Sequence, residues 1–150
     1  MKSFYIPNQY DNTLILLNEL KDEYGRIGVC KGRENVEYLG LHDNETDCIE
    51  FFLHESLNNN NDSFYNDAED RHLMEGCESD KYFPGSINVN NLILIGFLGD
   101  DEYLGLYLNT NDIYSVIYEV HAQGNNFWQT AANSIDEFNR RIEEILAFRI

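Results

Sequence analysis

The stretch "LILIGFLGDDEYLGLYL", Leu92 to Leu108, decides the fold. Two apolar runs of strand length flank Gly99-Asp100-Asp101-Glu102, and Gly-Asp-Asp is turn chemistry that folds two strands into a hairpin. In the second run Leu104, Leu106 and Leu108 share one face, while Tyr103, Gly105 and Tyr107 share the other. Both faces are apolar, so this strand is expected in the interior of a sheet. Beyond the "NTND" turn, Ile113 to His121 supplies a third strand, and Leu92–Leu98, Tyr103–Leu108 and Ile113–His121 together form a meander.

Outward from the meander the signals change period. "AQGNNFWQTAAN", Ala122 to Asn133, reads as irregular. Ser134 to Glu137 then spells a capping box, in which a hydroxyl and a carboxylate each satisfy a free backbone N–H at a helix start. Ile135, Phe138, Ile142, Ile145 and Leu146 form one apolar stripe on a helix reaching about Ala147. Arg140, Arg141 and Arg149 lie toward its C-terminal end, where positive charge suits the dipole.

Upstream, "DNTLILLNELKDEY", Asp11 to Tyr24, predicts a helix capped by Asp11 or Asn12 and stopped by Gly25. "RIGVC", "VEYLGL" and "CIEFFL" are expected as short strands. "NNNNDSFYNDAED", Asn58 to Asp70, is polar and of low complexity and reads as a mobile loop. A helical turn over Ala68 to Glu75 and a turn at Pro84-Gly85 complete the pass.

Composition narrows the function. At 150 residues the chain is one domain in size and buries about 70% of the surface its unfolded form exposes, so neither cofactor nor disulfide is needed for folding. Ten Lys and Arg against 27 Asp and Glu give a net charge of −17, which argues against direct nucleic-acid or anionic-membrane binding. No Lys or Arg occurs from Glu34 to Asp70 or from Tyr82 to Asn139. Such a distribution suits either a solvated surface or one that meets a basic partner. No signal-peptide core or membrane span is evident, and Cys30, Cys48 and Cys77 lack a Cys-x-x-Cys pair, so free thiols in a cytoplasmic protein are expected. Asn44-Glu45-Thr46 and Asn61-Asp62-Ser63 match the glycosylation pattern by chance.

No catalytic set emerges. Asp100, Asp101 and Glu102 offer carboxylates for a cation, but an EF-hand counted from Asp100 places apolar Leu104 at position five before Gly105 at six. His42, His54, His72 and His121 lack metal-ligand spacing, and no metal is expected. His121, ending a strand, reads as a hydrogen-bonding structural residue. Cys77 with His72 nearby has no elbow or oxyanion pattern. Gly96-x-x-Gly99 lacks the glycines and Lys of a phosphate cradle. Phe127 and Trp128 offer aromatic anchors for a partner, although aromatics beside a helix entry more often cover core.

The C-terminal 60 residues resemble the SUKH superfamily. Gly99, Asp100 and Leu104 match its Gly-Asp-x-x-Leu turn and strand. Val116 to His121 matches a strand ending in His, and Ala132, Ser134, Ile135 and Phe138 match the entry into a final helix, with Ile135 in place of the usual aromatic. The family's first-helix motif is absent from Met1 to Tyr24. The resemblance implies an α+β fold, a twisted, largely antiparallel sheet flanked by helices, in a single domain over 1–150 that ends in the amphipathic helix. It also implies an immunity protein that binds and neutralises a cognate secreted toxin, expected to be a basic nuclease, by stoichiometric blockade rather than catalysis; the alternative is an intracellular SUKH-type adaptor without a toxin partner. Asp100, Asp101, Glu102, Tyr103 and Trp128 are the candidate partner-binding residues.

Overall fold

The structure is a computed structural model that describes residues 6–66, 71–99 and 102–148. Its elements in chain order are α1 (Gln9–Glu19), β1 (Val29–Lys31), α2 (Arg33–Tyr38), β2 (Cys48–Phe51), α3 (Glu55–Asn66), a 3-10 turn (Arg71–Glu75), β3 (Pro84–Gly85), a second 3-10 turn (Val89–Asn91), β4 (Leu92–Leu98), β5 (Glu102–Leu108), β6 (Tyr114–Ala122), β7 (Asn125–Ala132) and α4 (Ile135–Phe148). The seven strands form one antiparallel sheet in the order β1-β2-β4-β5-β6-β7-β3. The fold is α+β, with the expected meander at its centre and β5 between β4 and β6. No helix among the described residues is long and apolar enough to cross a membrane.

Helices cover the two faces unequally. Ile93, Ile95 and Leu98 of β4, Leu104 and Leu106 of β5, and Val116, Tyr118 and Val120 of β6 pack with Leu17 of α1, Val36 of α2, and Phe138, Ile142 and Ile145 of α4. On the opposite face Leu92, Leu94, Ile117 and Trp128 meet Phe64 and Tyr65 of α3, with Ile87 and Val89. Gly105 lies in the second face because a Cβ there would stand 2.5 Å from Leu92 Cδ1. The capping box forms one residue wider than its usual pattern: Glu137 N–H donates to Ser134 Oγ at 3.1 Å, while Glu137 Oε2 accepts from Asn133 N–H at 2.8 Å. Both orphan groups at the helix entry are thereby satisfied.

Several elements differ from the sequence-based expectation. The first helix begins before Asp11, at Gln9, and its cap position, Asn8, makes no side-chain cap bond. "VEYLGL" is not a strand: Val36 lies in α2, and Val36, Leu39 and Leu41 turn together into the core beside α4. "FWQTAA" is not irregular but lies in β7, joined to β6 by a two-residue turn in which Gln123 and Gly124 both take positive φ, 54° and 78°. That is the backbone hand that matches strand twist. Pro84-Gly85 pairs with Gln129 and Trp128 as a short edge strand. Residues 55 to 66 form a helix rather than a loop, and Asp67 to Asp70, with the start of the helical turn expected at Ala68, lie outside the described residues.

The helix over the Asn run is pinned to β4 by the Asn61 amide, beside the Tyr65 hydroxyl that donates to Leu92 O. β2 stops at Phe51, which leaves the main chain of Leu94 without a strand neighbour on that side. Asn61 takes that place: its Oδ1 accepts from Leu94 N–H and its Nδ2 donates to Leu94 O, both at 2.8 Å, in a fully buried site. Asn61 and the equally buried Asn44 are thus structural amides rather than acceptors for sugar. Replacing Asn61 by Ala leaves two buried backbone groups unpaired, and a loss of about 3 kcal/mol in denaturant unfolding is expected. Asn59→Ala, on the exposed side of the same helix, is expected to change stability by less than about 0.5 kcal/mol; equal effects would show that the Asn61 pairing does not hold α3.

Candidate acidic binding surface

The β5–β6 ladder ends at Leu104 opposite Tyr118. Beyond it Tyr103 N–H donates instead to a side chain, Glu119 Oε1, at 2.8 Å. Glu119 is a carboxylate in a central strand, 3% exposed. Its other oxygen stands 3.6 Å from His121 Nε2, and His121 Nδ1 stands 3.6 Å from Glu102 Oε1. A row of carboxylate, imidazole and carboxylate therefore crosses this end of the sheet. Burial pushes the Glu119 carboxyl up to about 7, against the opposing pull of the Tyr103 N–H, His121 and Asn126.

A second acidic segment is fastened beside this row. The Arg33 guanidinium donates to the carbonyls of Leu41, His42, Asn44 and Thr46, and its Nε donates to Glu37 at 3.1 Å. Four carbonyls on one planar fork fix the 41–47 loop as few other side chains could. Asn44 then donates to Glu119 O at 2.9 Å, and Asp43 N–H donates to the Tyr118 hydroxyl at 3.2 Å. Asp43, Glu45 and Asp47 are exposed on that loop. Glu102 Oε2 and Thr46 Oγ1 both approach Gly99, so loop and sheet end are neighbours.

Of the candidate residues, the structure places Glu102 at the start of β5, half-buried against His121, and sets Tyr103 edge-on to Phe97 with ring centroids 5.3 Å apart. Asp100 and Asp101 lie outside the described residues. Trp128 is a correction: it is 0% exposed, packs in the second core and donates from Nε1 to Met74 O at 2.6 Å, so it offers no surface to a partner. Cys77 and His72 are exposed, and Cys30 is buried. Among the described residues no three His, Cys, Asp or Glu side chains are placed to hold a metal ion. Sequence reasoning missed Glu119; its signal was a charge at an inward position of an otherwise apolar strand.

The cations of the chain are largely engaged elsewhere. Arg26 pairs with Asp22 at 2.7 Å, Lys31 with Glu23 at 2.8 Å, and Arg141 with Glu137 and Ala131 O at 2.6 Å. The described part of the acidic end carries Asp43, Glu45, Asp47 and Glu102, with the Arg33 guanidinium inside the loop as its cation. The chain matches no family model, and no curated protein or solved structure is significantly similar to it.

Glu119 makes stability depend on pH with a definite sign. Its carboxyl keeps its proton to about 7 in the folded chain, against an ordinary value of 4.5. Between these values the folded state binds more protons than the unfolded state, so stability falls as pH rises. Glu119→Gln keeps an oxygen for Tyr103 N–H and carries no charge. Its urea midpoint is expected to exceed that of the wild type above pH 7 and to converge with it below about pH 4.5; parallel profiles would show that the buried carboxyl is not the titrating group.

Proposed function

We propose that this protein is an immunity-type inhibitor that binds a cognate basic toxin, of nuclease type, and blocks it stoichiometrically through the acidic end of its sheet. The observation that carries this reading is the Arg33 clamp, which fixes an exposed acidic loop beside Glu102 and Glu119. Charges on a fixed main chain present a constant field, and a cationic protein is steered onto such a surface faster than diffusion alone allows. A nuclease must itself be cationic where it holds a phosphate backbone, so the acidic end suits that surface or one adjoining it. The resemblance of the C-terminal 60 residues to SUKH immunity proteins supports the same reading. A SUKH-type adaptor remains the alternative if the neighbouring reading frames encode no secreted toxin.

The test uses the toxin domain encoded beside this chain and compares two triple variants. Asp100→Asn with Asp101→Asn and Glu102→Gln removes charge from the proposed surface, whereas Asp11→Asn with Glu19→Gln and Glu143→Gln removes the same charge from the helix layer. The first is expected to slow association about tenfold at low salt and to flatten its salt dependence. The second is expected to change the rate less than twofold. Equal losses would mean that only net charge matters, and an unchanged rate in the first variant would remove Asp100 to Glu102 from the binding surface.

A further inference from the structure

The opposite end of the sheet carries a second surface of different character. β5 ends at Leu108 and β6 begins at Tyr114, so this end lies a strand's length, about 20 Å, from Glu102 and His121. Here α3 and the 3-10 turns no longer cover the second face. A groove of about 330 Å³ is left, lined by the apolar Phe83, Pro84, Tyr107 and Ile113 and by polar residues of the β5–β6 turn, β6 and the end of β7.

We propose that this groove docks an extended segment of the basic partner protein, with an apolar side chain seated between Phe83 and Ile113 and Lys or Arg on either side of it. Phe83 is 76% exposed and Ile113 49%, and the two line the same depression. The Phe83 main chain is fixed. Its N–H donates to Gln129 Oε1 at 3.1 Å, and its carbonyl accepts from Thr130 N–H at 2.8 Å and Thr130 Oγ1 at 3.0 Å. With its backbone already fixed, this aromatic has only its side-chain torsions to order on binding, which lowers the entropic cost of an anchor residue.

Charge selects the occupant. At Pro84 the groove meets a depression lined by Glu78 and Asp80, and at Ile113 it meets one lined by Asp112 and Asp136. Among the described residues no Lys or Arg lines any of the three. Lys81 nearby holds its ammonium over the Tyr82 ring, 5.2 Å from the centroid. Four carboxylates around a slot that holds the Phe83 and Ile113 side chains repel nucleic acid and anionic lipid, and they repel a second copy of a chain carrying −17. A basic segment with an apolar centre satisfies both the slot and its flanks. The inference rests on the reading that the partner is basic, and it adds where that partner's extended segment lies.

The probe is a seven-residue peptide with two arginines at each end and a Leu-Tyr-Leu centre, titrated into the full isotope-labelled chain while amide shifts are followed. Saturating shifts are expected at Phe83, Tyr107, Ile113, Ser115 and Thr130. Phe83→Ala and Ile113→Ser, both at exposed positions, are each expected to weaken the peptide at least fivefold. A version with glutamates in place of the arginines is expected not to bind, and heptalysine is expected to leave the groove amides unshifted. Shifts confined to other surfaces, unchanged affinity in both variants, or groove binding by heptalysine or the acidic peptide would overturn the proposal. No toxin enters this titration. Peptide binding in the groove together with failed neutralisation would reject the immunity reading alone, whereas a toxin complex that leaves the groove amides unshifted would reject the groove as the toxin's site.

Discussion

The paired hydrogen bonds between the Asn61 amide and the main chain of Leu94 determine what the second face of the sheet can do. β2 is only four residues long, so β4 runs past it with a peptide unit that has no strand partner. A buried peptide unit must be satisfied, and the amide supplies the same donor and acceptor that a neighbouring strand would. α3 is therefore fixed over Leu92 and Leu94, and Phe64, Tyr65 and Trp128 close around them. Coverage ends where α3 and the 3-10 turns end. The open remainder of that face is the groove at Phe83 and Ile113.

Charge is sorted by the same architecture. β2 to β7 contain no Lys or Arg, and among the described residues the basic side chains sit in β1, α2, α4, the α1–β1 connection and the segment from the first 3-10 turn to β3. Arg33 is the informative case, because its guanidinium is used up on four carbonyls and a carboxylate within the chain. Its single positive charge stands within a loop that carries three carboxylates, Asp43, Glu45 and Asp47. The loop's carboxylates stay in water, while Glu119 is withdrawn from it at a cost that raises its proton affinity. Exposed carboxylates contribute little to folding, so neither the loop's carboxylates nor those around the Phe83 groove are explained by stability.

The central meander was legible because strand period, turn chemistry and apolar content all agreed between Leu92 and His121. The final helix was legible for a similar reason, since its cap and stripe are both local signals. Asn58 to Asn61 failed as a local signal: four asparagines have poor helix propensity, and the one that matters acts through a strand 33 residues away. Val36 to Leu41 failed because a short apolar run has no period of its own, and packing against α4 decided it. β7 was hidden by a turn whose first residue, Gln123, is an uncommon choice for positive φ. Of the candidate site, Glu102 and Tyr103 were placed at the acidic end, but Trp128 was absorbed by the core. Glu119 was overlooked because an inward charge has meaning only once both faces of its strand are known to be buried.

The two surfaces differ in the distance over which they act. Carboxylates at the Glu102 end exert a field across a Debye length, about 8 Å at physiological salt, and on the proposed reading would set how often a basic protein arrives in a productive orientation. The Phe83 groove would act only on contact, through desolvated area, and would set how long a bound segment stays. Strands β5 and β6 run directly from one to the other, their ladder continuous from Leu104 opposite Tyr118 to Leu108 opposite Tyr114. A partner that engaged both would meet them at a spacing set by hydrogen-bonded strands rather than by loops. That fixed spacing adds selectivity that neither charge nor apolar area supplies alone, because many basic proteins satisfy the first surface and few also carry an extended apolar segment a strand's length away.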